Sequence, residues 1–254
     1  MKRKLFRIAP LSLLLALALW QGMAFASTGS VLPAVSFAIT PAGGAQGVVS
    51  AVQIIVLLTV LSLAPAILIM MTAFTRIVVV LSFVRSALSL QQSPPNQILV
   101  GLALFLTLFV MSPTLNAVNH NALQPYLAGK IGQTVAIDQA ELPFKEFMAK
   151  QTRIQDVNLF LAYRHEKTPA SLTQLPLTTL VPAFAVSELQ TAFQIGFMIY
   201  IPFLIIDLVV ATTLMSMGMM MLPPVLISLP FKLLLFVMVD GWYLVVKSLL
   251  AGFH

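Results

Sequence analysis

The residues of this chain best placed to do chemistry are charges set inside apolar runs. They are Glu188, Asp207, Lys232 and Lys247, and five methionines, Met215, Met217, Met219, Met220 and Met221, crowd between the two acids and the two lysines. Acids and bases in such surroundings either relay protons or ions, or pair structurally between helices or subunits. No continuous chain of acids links them, which favours pairing. Asp207 and Lys232 lie at equal sequence distance from the centre of the methionine segment, so an antiparallel hairpin would bring them to similar depth. Glu188 and Lys247 are almost equidistant as well, differing by about one helical turn. An unpaired charge at membrane depth costs about 2.5–3.5 kcal/mol on insertion scales. The expectation is therefore that Asp207 meets Lys232, that Glu188 meets Lys247, or that they share a polar seam.

The methionine segment has two readings. Thioether side chains are flexible and polarisable, so a cluster of them can close around objects of varying shape, or simply fill gaps in a helix bundle. Gly218 permits a kink, and Pro223-Pro224 forces a bend two positions after Met221. Irregular backbone at membrane depth is tolerated only inside protein or along an aqueous cavity, which favours a gate over a filler.

Other chemistries find little support. The chain has no phosphate-binding Gly-x-x-x-x-Gly-Lys-Ser/Thr loop, no His-Glu-x-x-His pair and no Gly-x-Gly-x-x-Gly turn. His120, His165 and His254 are scattered, and with no cysteine there is neither a disulfide nor a thiolate metal site. An intramembrane aspartyl protease would need two aspartates; Asp207 and Asp240 exist without the flanking motifs, and nothing positive points to a serine hydrolase. No catalytic residue, cofactor or metal is expected.

The elements that must position these residues follow from composition. Of 254 residues, 59% are hydrophobic and 9% charged, the profile of an integral membrane protein. Lys2, Arg3, Lys4 and Arg7, the apolar run 11–20 and the small residues Ala24 and Ala26 make residues 1–26 a cleavable signal peptide, too short to span a bilayer. Removing those four charges from +6 leaves +2, so nucleic-acid binding loses its compositional support. Residues 27–47 read as a loose periplasmic N-terminus. An apolar run over 48–71, expected to kink at Pro65, continues in helical pattern to Leu90, and a second helix opens at Ile98 after the Pro94-Pro95 turn. Residues 48–126 thus form a first helical hairpin. Arg76 and Arg85 flank its turn, which the positive-inside rule places in the cytoplasm. Residues 127–180 are a polar, water-facing insertion with two short amphipathic helices, near 141–150 and 156–163. Residues 181–254 form a second hairpin whose bend is the methionine segment, on the cytoplasmic side by alternation.

Two further stretches carry a resemblance. Pro182-Ala183-Phe184-Ala185-Val186-Ser187-Glu188-Leu189 with Gln194-Ile195-Gly196-Phe197, and Pro230-Phe231-Lys232 through Asp240-Gly241-Trp242, resemble the two motifs of the FliP family of flagellar biosynthesis proteins and its virulence type III secretion relatives (SctR). The intervening stretch around Asp207 and the methionine bend are similar to that family too. The likeness runs from about 48 to 242, and the signal peptide resembles the flagellar branch.

The resemblance implies an all-α membrane protein whose two hairpins assemble, with the polar insertion between them, into a closed helical ring raised toward the periplasmic side of the inner membrane. It implies a non-enzymatic, pore-forming subunit of the flagellar export gate, working as a homo-oligomer with FliQ and FliR. FlhA and FlhB would be further export-apparatus partners, and unfolded flagellar proteins the cargo. Met215, Met217, Met219, Met220 and Met221 would be the pore gasket. The alternatives are a virulence-system homologue, a secondary transporter for a small solute, which would bind its solute as a purified monomer, and an assembly scaffold with no conducting role.

Overall fold

The computed structural model describes residues 45–90, 93–167, 169–219 and 221–253. The expected signal peptide with Ala24 and Ala26, most of the N-terminal segment and Met220 lie outside the described residues. The structure divides into two units at Val56/Leu57. Of the first, only the helical backbone from Ala45 and the side chains of Ile54, Ile55 and Val56 are described; all packing below concerns the second.

Every described element is helical, with no strand among the described residues. Helix α1 is Ala45–Met70, α2 Phe74–Ala87 and α3 Asn96–Val118. A π-helical turn, Asn119–Leu123, and the short α4, Gln124–Leu127, extend α3 into one apolar stretch, Asn96–Leu127, long enough to cross a membrane. Helices α5 (Gln133–Gln151) and α6 (Ile154–Arg164) make up the insertion. Helix α7, Leu177–Ser216, has 40 residues, and α8 (Pro224–Met238) meets α9 (Gly241–Ala251) at 64°.

Pro65 sits inside α1, and the helical run is broken at Met71–Ala73. Beyond the break, α2 is the central buried rod. Ile77, Val80, Leu81, Val84 and Ala87 recur at helical spacing and are fully buried against Leu99 and Ala103 of α3, Ala192 and Phe203 of α7, and Leu249 of α9. A second cluster joins Met148 of α5 and Val157 and Leu161 of α6 to Leu180, Ala183 and Phe184 of α7. The insertion is thereby packed on the first third of α7. Its α5 also reaches the middle of the Asn96–Leu127 stretch, where a cavity of about 530 Å³ is lined by Phe109, Pro113, Phe147, Lys150 and Phe253.

Two glycines are fixed by close approach. A Cβ on Gly196 would lie 2.5 Å from the Phe83 ring, and one on Gly241 would lie 2.3 Å from the Phe236 ring. The first lets α2 and α7 touch. The second, beside Asp240 at φ 51°, shapes the α8–α9 elbow, where Phe236 and Trp242 pack edge to face at 5.4 Å.

Candidate functional site

Three polar stations are distributed along α7. The lowest in sequence number binds the insertion. Ser187 Oγ accepts the backbone N–H of Arg153 at 3.0 Å and donates to Asp156 Oδ2, while Arg153 Nη2 donates to Thr191 and to Gln194 Oε1 at 2.7 Å. A short-range turn between α5 and α6 is thus pinned to the long helix by four hydrogen bonds.

The second station lies one residue on. Glu188 is fully buried, and its carboxylate takes both Nε, at 2.8 Å, and Nη2 of Arg76, itself 2% exposed. The guanidinium also donates to the Gly252 carbonyl at 2.8 Å and to Gln151 Oε1 at 3.0 Å, and the Phe253 ring covers it at 4.1 Å. A planar fork with five donors suits this crossing of four chain segments. The pairing of Glu188 with Lys247 expected from spacing is therefore replaced by a pair with Arg76. The reason is the elbow: α9 turns 64° off the α8 axis, so equal distance from the bend no longer means equal depth. Lys247 is exposed on α9, its Nζ 5.8 Å from the Tyr243 ring. Arg76, in turn, is a core residue. Arg85 alone attends the Pro-Pro turn, donating to Asn96 Oδ1.

The third station stands about 28 Å further along α7, at 1.5 Å per residue. Lys232 Nζ, 1% exposed, donates to Asp207 Oδ2 at 2.6 Å and to Ser89 Oγ at 2.7 Å. Ser228 Oγ donates to the other carboxylate oxygen, Oδ1, at 2.5 Å. Lys232 lies on the bend side of the 64° elbow, and there Asp207 and Lys232 do meet across the hairpin. No buried side-chain polar atom among the described residues lacks a partner.

Beyond this station the hairpin arms run out to the methionine bend. Helix α7 ends through a left-handed Gly218, φ 76°, whose N–H reaches Met215 O while that of Met219 reaches Leu214 O. Helix α8 starts at Pro224 after the fixed backbone of Pro223. Met215, Met217 and Met219 are exposed and Met221 is 99% exposed.

The sequence that builds this arrangement has counterparts. The FliP family profile matches residues 57–249. The chain belongs to the FliP family. It is similar to the flagellar biosynthetic protein FliP of Bacillus subtilis, 64% identical over 82% of this chain and 94% of that one. It is likewise similar to FliP of Pectobacterium carotovorum, 51% identical over 90% and 88%, and of Aquifex aeolicus, 48% identical over 83% and 89%.

The motif positions of this FliP-family chain acquire physical roles from the geometry. Ser187 and Glu188 hold the insertion and Arg76; Gly196 admits Phe83; Lys232 closes the third station; Asp240, Gly241 and Trp242 form the elbow. Pro182 and Pro230 sit inside α7 and α8. Sequence reasoning missed Arg76 and Ser89 as site residues. A signal for Arg76 was present, since a lone arginine within an apolar run requires a partner. Nothing local marks Ser89.

Proposed function

We propose that this chain is a pore-forming subunit of the flagellar type III export gate. Several copies would assemble with FliQ and FliR into a closed helical ring in the bacterial inner membrane, at the flagellar basal body. Unfolded flagellar proteins would pass through the ring under the drive of FlhA, FlhB and the rest of the apparatus. The observation that carries this reading is the methionine bend: flexible thioethers stand exposed at the tip of an apolar hairpin whose arms are held together by the ion pair of buried Lys232 with half-buried Asp207. Contributed by several chains, such tips would meet at an axis and close against one another. They would part around an extended polypeptide while limiting ion leak.

Length supports raising much of the assembly to the periplasmic side. Helix α7, at about 60 Å, is twice the roughly 30 Å hydrocarbon thickness. Its first third carries α5 and α6, and α5 includes Asp138, Glu141, Lys145, Glu146 and Lys150. That third fits water better than lipid.

The test is conductance. Replacing Met217, Met219, Met220 and Met221 together with alanine should raise ion leak through the assembled complex without preventing assembly. Unchanged leak in an intact complex would overturn the gasket role.

A further inference from the structure

Helix α2 ends in a Schellman cap: the N–H of Ser89 reaches Ser86 O at 2.9 Å and that of Leu90 reaches Arg85 O at 3.2 Å. The residue at the turning position must be left-handed, and Ser89 has φ 57°. Glycine is the default there, because any Cβ crowds the following carbonyl. This chain follows the default at Gly129, φ 67°, and at Gly218, φ 76°, each with the same pair of hydrogen bonds. Among the described residues it departs from a left-handed glycine at His165, whose side chain is exposed at the end of α6, at Asp240 in the α8–α9 elbow, and at Ser89, whose side chain is not free. The Ser89 hydroxyl accepts from Lys232 Nζ at 2.7 Å, across 143 residues.

That contact completes a closed set. Lys232 has two acceptors, Asp207 and Ser89, and Asp207 has two donors, Lys232 and Ser228. The arms of the methionine bend are therefore tied to each other at one height, by Asp207 and Lys232, and that height is tied to the end of α2 by Ser89. From this brace the arms run about 12 Å to Met215 on one side and about 12 Å to Pro224, where α8 begins, on the other, at helical rise.

Resting on the gate reading above, we infer that Ser89 is a positioning residue for the methionine bend. Through Lys232 it fixes the two arms in register against α2, so closure of the gate depends on a hydroxyl remote from it. Ser89→Gly separates this role from a purely structural one. Glycine relieves the left-handed strain and keeps the cap, so a residue that only capped α2 would leave the protein equally or more stable and otherwise unchanged. Loss of the hydroxyl instead frees Lys232 on one side.

Two measurements on the full chain in its complex decide the matter. The chain has no cysteine, so spin labels at Thr212→Cys and Leu226→Cys, in complexes where labelled chains are diluted with unlabelled ones, report the separation of the arms alone. Ser89→Gly should broaden that distance distribution and raise ion leak about tenfold, the population shift expected from losing one charge-assisted hydrogen bond, with no fall in complex yield. Ser89→Ala should do the same at lower stability. An unchanged distance distribution in Ser89→Gly overturns the inference, whatever the leak. If the methionine-to-alanine variant fails to leak while Ser89→Gly still loosens the arms, the gasket reading falls and the positioning role stands. If the methionine variant leaks and Ser89→Gly does not, the positioning role in gating falls alone.

Discussion

Arg76→Met should be among the most damaging single substitutions available in this chain. At 2.8 Å and an effective dielectric of about 20, the attraction between guanidinium and carboxylate is about 6 kcal/mol gross. Most of that only offsets the cost of taking both ions out of water, so the net worth of the pair is small. The cost of deleting one partner is another matter. Glu188 is fully buried, and without Arg76 its carboxylate would have no counter-charge; breaking such pairs costs about 3–5 kcal/mol. Gln151 and the Gly252 carbonyl would also lose their donor. Against a total stability of about 5–15 kcal/mol, that is enough to empty the assembled population. Denaturant unfolding in mixed micelles, with complex yield from membranes, gives the comparison. Arg76→Met should lose about 3–5 kcal/mol and most of the complex. Combining it with Glu188→Leu should recover most of that loss, because two apolar side chains leave no orphaned charge. The reasoning fails if the single variant matches the parent, or if the double variant is no better than the worse single one.

Other perturbations reach the remaining contacts. Reversing Asp207 to Lys or Lys232 to Asp should each lower complex yield, and the combined exchange should restore part of it; absence of any recovery would mean the pair is not the source of the effect. Gly196→Ala drives a methyl into the Phe83 ring and should destabilise by about 1–3 kcal/mol, with Phe83→Leu in the same chain relieving it. Phe253→Ala removes the ring over Arg76 and its stack on Phe147 at 6.4 Å, and should cost about 1–2 kcal/mol in the same unfolding measurement.

What the sequence by itself determined was whatever depends on runs and periods. Apolar stretches of spanning length, the charged insertion with its two helices and the breaks at Gly218 and Pro223-Pro224 are local properties, and local propensity and tertiary packing agree there. Asp207 and Lys232, equidistant from a tight bend, come together because both lie on the bend side of the α8–α9 elbow. Tertiary structure decided everything that depends on which helix faces which. Glu188 turned to Arg76, 112 residues away, because the elbow at Asp240 carries Lys247 off the hairpin axis. The same packing made Arg76 a buried fork, and made a strained serine at the end of α2 the acceptor for Lys232. The methionines mark the limit of a single chain: their positions are written in the sequence, and Met221 stands 99% exposed at the bend.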